Sequence, residues 1–410
     1  MILALGAAGL LAVLTGVRFA LAAAVLRRPE PVYDRDSGPV TILQAVLSGD
    51  PTLAGNLREN LANQPDARFV WLIDASDAEG WRIADDLAPT AGGRVEVIGV
   101  PPVPQGHNPK VFKLVTGLPR CGDLVAVLDD DTVLPPGALR RAVQALASGD
   151  LVTGIPVYRP GHGIWSRLIA AFVNGNALLT YLPPLAYAPP VTINGMFYLT
   201  RRSVLESLGG FAAIEDRLCD DHELAKLYRA AGRRIVQTAI THPLSTTVPS
   251  FGAYVQLMRR WLVFANRLLG QSLTLPTLGL VVIPSLLPLV AIALSVVFGS
   301  PLALAAALGT LLLKAIALAV LRHRVAAAGC PAGDRPADDR PAAIGAEIVA
   351  ELAADLLLPL HALTTLVRPR RIRWRDKEID TKGGGVAYRS GSAPDRAPGS
   401  APGCGREWRG

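Results

Sequence analysis

The sequence predicts an α/β protein: a Rossmann-like domain with a mostly parallel sheet, set between N-terminal and C-terminal transmembrane helices. Three observations lead there. Half of the 410 residues are hydrophobic and only 18% are charged, below the roughly 25% charge of ordinary soluble domains. Uncharged stretches long enough to cross a bilayer lie toward both ends of the chain. Between them, short β-branched runs alternate with helical stretches, the pattern of successive βαβ units.

The first element covers residues 1–28. It is apolar apart from Arg18 up to Arg27 and Arg28, and it meets the ~20-residue length of a span. The positive charges follow the apolar run, whereas a cleaved signal peptide carries them ahead of it, so the segment reads as an uncleaved anchor. By the positive-inside rule, Arg27 and Arg28 place the next domain in the cytoplasm. Arg18 is expected to snorkel toward that face. Residues 38–267 form the α/β domain, with strands expected near 41–47, 69–73, 95–100 and 124–128 and helices near 55–64 and 137–146.

No charged residue occurs between Arg267 and Lys314. Broken by Gly299-Ser300-Pro301, this stretch predicts a transmembrane hairpin of 273–298 and 302–321, with Pro276, Pro284 and Pro288 in the first arm. Residues 342–367 are again apolar but place Glu347, Glu351 and Asp355 at i, i+4 and i+8 on one helical face, a pattern open to an interfacial or a transmembrane helix. Residues 368–410 read as a basic, largely disordered tail, rich in Gly, Ser and Pro from Gly383. The net charge of +7 sits almost wholly there, with 11 Lys/Arg against 5 Asp/Glu, while the preceding chain has 30 against 29. A nucleic-acid-binding stripe is therefore unsupported, and a membrane-surface tail is the simpler reading. The four cysteines show neither a disulfide framework nor zinc-ligand spacing.

The chemistry-bearing runs lie in the middle domain. Val125-Ala-Val-Leu-Asp129-Asp130-Asp131 is an apolar strand that delivers three carboxylates at its C-terminal end, the sheet edge at which α/β proteins bind ligands. Alternation along an extended strand would turn Asp129 and Asp131 the same way, as hard oxygen ligands for Mg²⁺ or Mn²⁺. Upstream, 71–77 ends a second strand in Asp74 and Asp77, and His107-Asn108-Pro109-Lys110 offers a fixed turn and a flexible ammonium. Downstream, Cys219-Asp220-Asp221-His222-Glu223 opens a helix that Gly232 closes, and Arg259-Arg260-Trp261 lies on an amphipathic stretch before the hairpin.

Taken in order, these runs, with the Gly195-Met-Phe-Tyr-Leu-Thr-Arg-Arg segment and Gly209-Gly210-Phe211, resemble the family 2/21 glycosyltransferases. The likeness is greatest to the ceramide glucosyltransferase group and its bacterial relatives that glycosylate membrane lipids such as hopanoids. The resemblance implies a GT-A fold, a UDP-sugar donor, Mg²⁺ or Mn²⁺ as cofactor, and inversion in a single displacement. It implies that Asp74 or Asp77 meets the uracil or ribose, that Asn108 and Lys110 belong to the nucleotide site, and that Asp129 and Asp131 form the metal-binding pair, with Asp131 the better ligand. Asp221 corresponds to the base, and Arg260 and Trp261 to the end of the (Q/R)xxRW motif. The motif's glutamine position is held by Leu257, with Gln256 one residue early, and the acidic pair reads Asp220-Asp221 where the family has Glu-Asp.

These expectations describe an integral membrane enzyme of a bacterial inner membrane, with a cytoplasmic catalytic domain passing glucose or N-acetylglucosamine to a lipid hydroxyl. Two rivals remain: a transferase acting on polyprenyl phosphate or polysaccharide, and a non-catalytic membrane scaffold or transport subunit. A dinucleotide-binding oxidoreductase is excluded, since no G-x-G-x-x-G follows the first strand.

Overall fold

The computed structural model describes residues 1–28, 39–329 and 341–367, together with three short strands further on. Its centre is a seven-stranded mixed sheet in the order β3-β2-β1-β4-β6-β5-β7. The strands are β1 (Val40–Val46), β2 (Arg68–Asp74), β3 (Val95–Val100), β4 (Leu124–Leu128), β5 (Leu151–Pro160), β6 (Phe197–Arg201) and β7 (Ile235–Thr246). β3, β2, β1 and β4 run parallel, β6 lies antiparallel between β4 and β5, and β7 pairs parallel with β5.

Strands β1, β2 and β4 are mostly apolar on both faces because both faces are covered. Ile42, Phe69, Trp71 and Ile73 enter one core, with helices α2 (Leu53–Asn63), α3 (Ala78–Leu87) and α5 (Ala138–Ala145). Leu43, Val70, Leu72, Val125 and Val127 enter the other, with α4 (Pro109–Gly117), the short α7 (Arg202–Ser207) and α8 (Asp220–Ala230). Such double burial gives near-continuous hydrophobic strands where a half-exposed sheet would show strict alternation. The fully buried indole of Trp71 donates to Gln44 Oε1 at 2.9 Å, which satisfies its one polar atom.

The apolar ends form helices as expected, with corrections of detail. Helix α1 (Ile2–Leu26) packs on α11 (Ile283–Val297) and α12 (Pro301–Gly329) through Ala4, Ala8, Ala291, Ala303 and Ala307. These small residues permit the close backbone approach by which helices associate in lipid. The first arm of the hairpin starts at α10 (Leu275–Thr277) and passes through a π turn, Leu278–Val282, before α11. Pro284 can make no bond to the carbonyl four residues earlier, and the wider turn just ahead of it accommodates the loss. Among the described residues, four helices are long and apolar enough to cross a membrane: Ile2–Leu26, Ile164–Ala186, Leu275–Val297 and Pro301–Val325. The second comprises α6 (Ile164–Asn176), a π turn (Ala177–Tyr181) and a 3₁₀ turn, and it is 61% buried against the rest of the protein.

Helix α13 (Pro341–Val367) carries the acidic face, and that face is turned inward. Glu351 pairs with Arg322 of α12 at 2.8 Å, and Asp355 pairs with Lys314 of the same helix. Arg18 does not snorkel. Its side chain is buried and donates to the Leu179 carbonyl at 2.8 Å and to Thr180 Oγ1 at 3.3 Å. A π turn leaves helix carbonyls short of their usual donors, and a guanidinium one helix away satisfies one of them.

In the tail, strands Arg371–Trp374, Lys377–Asp380 and Ala387–Arg389 make a small antiparallel sheet, where the sequence reading expected little regular structure. The alternation Arg-Ile-Arg-Trp and Lys-Glu-Ile-Asp is a period-two signal that the high charge obscured. The rest of the tail lies outside the described residues.

Candidate active site

The site forms at the C-terminal ends of β1, β2 and β4, and its centre is a partly buried cation. Lys110 sits in the first turn of α4, and its ammonium meets Asp129 Oδ1 at 2.6 Å, the Gly195 carbonyl at 2.8 Å and Asp220 Oδ2 at 3.4 Å. Two of these contacts are short enough for donated hydrogen bonds, and the third is an ion pair. One lysine thus ties together the acidic turn after β4, the approach to β6 and the start of α8. Burial alone would lower the Lys110 pKa, but Asp129 first and Asp220 next outweigh it and hold the ammonium well above its usual range.

Asn108 makes that placement possible. It caps α4 by accepting from the Lys110 and Val111 amides, and its own amide group donates to the Arg217 and Leu218 carbonyls. With 1% exposure and every polar atom engaged, it anchors the loop before α8 to the start of α4. The sequence reading placed this side chain at the nucleotide, whereas its geometry is that of a support for Lys110. Asn108→Ala is expected to destabilise the protein by about 1–3 kcal/mol, the scale of a lost cap plus orphaned carbonyls. A denaturant melt of the purified chain measures it.

The three aspartates after β4 take three separate roles. The strand ends at Leu128 and the chain turns at 130–131, so the two-residue alternation expected for Asp129 and Asp131 does not apply. Asp129 faces Lys110. Asp130 accepts the Leu47 amide at 2.7 Å and so closes the end of β1. Asp131 accepts from the Thr132 hydroxyl at 3.1 Å. Burial, then the charges of Asp129 and Asp130, push the Asp131 carboxyl up to about 7. The turn is fixed to the far side of the sheet by the Val133 amide, which donates to the Pro243 carbonyl on β7.

A crowded set of carboxylates with a raised pKa is suited to a divalent cation, and Asp131 is the member whose oxygens are least committed. Asp129 fits less well as a ligand while Lys110 holds it. Among the described residues no cluster of three or more His, Cys, Asp or Glu side chains is arranged to bind a metal unaided. Any ion here would need the donor's phosphates or water to complete its shell.

Asp74 and Asp77, at the end of β2, are both partly occupied. Asp77 caps α3 through the Gly80 amide and accepts the Ser48 amide at 2.9 Å and hydroxyl at 2.5 Å. These donors hold its carboxyl below the usual carboxylate range, against the opposing effect of partial burial. Asp74 makes one ion pair, at 3.0 Å to Lys113. Lys113 was not anticipated from sequence. It is buried on α4 and donates to the Val46 carbonyl at 2.8 Å, and the one available signal was a lysine spaced i+3 from Lys110 on a face otherwise apolar.

Asp221 lies in the first turn of α8. Its Oδ1 accepts the His222 amide at 2.7 Å and the Cys219 thiol at 3.0 Å. Burial first, and the neighbouring Asp220 charge second, push its carboxyl above the ordinary range. Gly195 is required beside it by close approach, since a Cβ there would lie 3.0 Å from Asp221 Cβ. The Tyr181 hydroxyl, from the π turn after α6, lies in the field of Asp221.

The remaining motif belongs to α9 (Phe251–Ser272). Trp261 stacks on Phe172 of α6, centroids 6.0 Å apart at 13°, and meets Tyr158 of β5 edge-on at 6.0 Å. It therefore packs α9 against α6 and the end of β5. Arg260 and Asp131 both act on the Tyr158 hydroxyl, whose pKa is raised by burial and then by Asp131, and opposed by Arg260. Tyr158 thus lies within the fields of both Arg260 and the acidic turn.

A search of curated proteins returned no match. Among solved structures, the chain is similar to a mannosyltransferase from Pyrobaculum calidifontis in complex with GDP-Man and Mn²⁺, at 20% identity and TM-score 0.46 over 87% of this chain and 99% of that one. It is also similar to GalNAc-T7 with UDP, GalNAc and Mn²⁺, at 12% identity and TM-score 0.39 over 55% and 48% of the two chains. A mycobacterial protein gives 17% identity and TM-score 0.33 over 62% and 78%. The sequence itself matches the glycosyl transferase family 21 profile over residues 5–387, nearly the whole chain, and the protein belongs to that family.

Proposed function

We propose that this glycosyltransferase moves glucose or N-acetylglucosamine from a UDP-sugar to the hydroxyl of a membrane lipid, with inversion at the anomeric carbon. The reading is supported by Asp221, a carboxylate at the start of α8 that desolvation and Asp220 hold above the ordinary range, at the position the resemblance assigns to the base. It stands beside a lysine-linked acidic turn in a chain whose described residues include four membrane-length helices. Asp221 takes the proton from the acceptor hydroxyl, whose oxygen forms the new bond to the anomeric carbon as the bond to the diphosphate breaks and UDP leaves. Arg260 faces the charge that accumulates on the leaving group. Lys110 holds Asp129 and Asp220 in register. Asp74, with the less committed carboxylate of the β2 pair, meets the uracil or ribose. Asp131 would hold Mg²⁺ or Mn²⁺, which when bound neutralises the departing diphosphate. The positive-inside rule, applied to Arg27 and Arg28, puts the site on the cytoplasmic face of a bacterial inner membrane.

The test is a donor and acceptor panel on membranes holding the chain, with UDP-glucose, UDP-N-acetylglucosamine and GDP-mannose, lipid extract or polyprenyl phosphate, and either metal. Label entering the neutral organic phase from a UDP-sugar supports the proposal. Label entering only polyprenyl phosphate, only from GDP-mannose, or not at all overturns it.

The pH profile supplies a sharper check. A base must be ionised, so activity is present above the Asp221 pKa and lost as pH falls through it. Because that pKa is raised, the acid limb should lie above the ordinary carboxylate range. Asp220→Asn removes the like charge and should move the limb to lower pH, measured as kcat at saturating donor and metal.

A further inference from the structure

Lys113 is a buried ammonium to which the chemistry proposed above gives no task. It is 3% exposed and shares the inward side of α4 with Val111, Leu114 and Gly117. Its Nζ donates to the Val46 carbonyl at 2.8 Å and pairs with Asp74 Oδ2 at 3.0 Å, which joins the ends of the neighbouring strands β1 and β2. A buried ion pair must recover the desolvation of both charges, and well-packed apolar residues in its place are often as stable or more so. The pair therefore points to a role other than stability.

The neighbouring carboxylates narrow that role. Asp77 engages both oxygens, Oδ1 with the Ser48 hydroxyl and the Gly80 amide and Oδ2 with the Ser48 amide. Asp130 Oδ2 accepts the Leu47 amide, and Asp129 Oδ1 faces Lys110. Asp74 gives Lys113 one oxygen while its side chain keeps 30% exposure at the open edge of the sheet. The χ2 torsion of an aspartate is broad and roughly two-fold, so an unpaired carboxylate turns its oxygens in many directions. An ammonium held on Oδ2 selects one of them and leaves Oδ1 for an incoming N–H or O–H. We infer that Lys113 is a positioning residue for the donor's nucleoside, turning Asp74 Oδ1 to accept one N–H of the base or one O–H of the ribose.

Being buried, the ammonium acts through Asp74 and does not itself reach the ligand. An acceptor fixed before the ligand arrives spares the ordering that binding would otherwise require. The inference rests on the reading above that a nucleotide's nucleoside meets Asp74. Removing the ammonium would act on a nucleoside diphosphate in two ways. An uncompensated carboxylate repels the diphosphate whatever the base or sugar, whereas a freed χ2 weakens only the contact that Asp74 makes. Affinity ratios between nucleotides cancel the first effect and isolate the second.

The test is calorimetric titration of the full chain in nanodiscs, at one Mg²⁺ concentration, with UDP, GDP and the 2′- and 3′-deoxy analogues of UDP. Lys113→Met keeps the stem and removes the charge. It is expected to lower one of the wild-type affinity ratios about tenfold, the scale of one hydrogen bond to a charged group. A fall in the UDP-to-GDP ratio puts Asp74 at the base, and a fall in the ratio of UDP to a deoxy analogue puts it at the ribose; either upholds the inference. Lys113→Gln, which keeps a donor for the Val46 carbonyl without the charge, should show the same fall and serves if Lys113→Met does not fold. In an Asp74→Asn background, Lys113→Met should move no ratio further, because the group it orients is gone. Unmoved ratios in both single variants, or a further fall in the Asp74→Asn background, would overturn the inference, since a lysine that only supports the fold weakens every nucleotide alike. Tighter binding of GDP than UDP by the wild type overturns the UDP donor proposed above, and Lys113 is then judged by the same shift in ratio.

Discussion

Asp221→Asn is expected to lower kcat by about 10²–10⁴, the range of a lost general base, with little change in donor KM. Asparagine keeps the shape of the side chain, and its Oδ1 can still accept the Cys219 thiol and the His222 amide. What disappears is the ability to take a proton. The folded state also places this carboxylate in burial beside Asp220, which disfavours its charge. The same substitution should therefore raise the midpoint of unfolding at neutral pH, since it removes a charge that the fold destabilises. A variant that loses activity and gains stability is the signature of a residue retained for chemistry. A loss of less than tenfold, or a variant that melts earlier, would show that Asp221 supports the start of α8 and is not the base. Transfer assays and thermal melts on one preparation decide the matter.

The contrast between legible and illegible features is physical. Strands β1, β2 and β4 could be read because both their faces are buried, which makes them mostly apolar runs bounded by polar turns. The order of acidic motifs could be read because each run ends a strand or opens a helix at the same edge of the sheet. The direction of each carboxylate could not. Asp129 and Asp131 differ in role because the strand stops at Leu128, and where a strand stops depends on the β6 partner, whose Met196 carbonyl accepts the Asp129 amide. Asn108 and Lys113 illustrate the same limit. Asn108, expected at the nucleotide, and Lys113, which looks solvent-facing in sequence, have their partners supplied by the α8 approach and the β1 end. Arg18 was misread for a related reason: its partner is a π-turn carbonyl 161 positions away in the sequence. The acidic face of α13 was visible as a pattern, but the cations that pair with it, Lys314 and Arg322, lie on another helix, α12.

Lys110→Met carries the second large expectation, in which stability and activity should fall together. Methionine preserves the stem and removes the ammonium, leaving Asp129 and Asp220 without their shared cation and the Gly195 carbonyl without its donor. Removing one partner of a buried ion pair costs roughly 3–5 kcal/mol, because the remaining charge stays desolvated. These side chains keep 16–27% exposure, so the loss should fall toward the lower end. Activity should decline by about 10² or more, because Lys110 sets the distance between the acidic turn and α8, and small displacements of catalytic groups carry penalties of that order. A merely supportive lysine would give a different result in combination. Asp129→Asn alone leaves Lys110 with Asp220, and Asp220→Asn alone leaves it with Asp129, so each single change should be milder. Adding Asp129→Asn to Lys110→Met should restore stability, since the amide no longer needs a counter-ion, but should not restore transfer, because the geometry remains unset. Independent, additive effects in that cycle would show that the three groups do not act as a unit, and the lysine-centred frame would have to be abandoned.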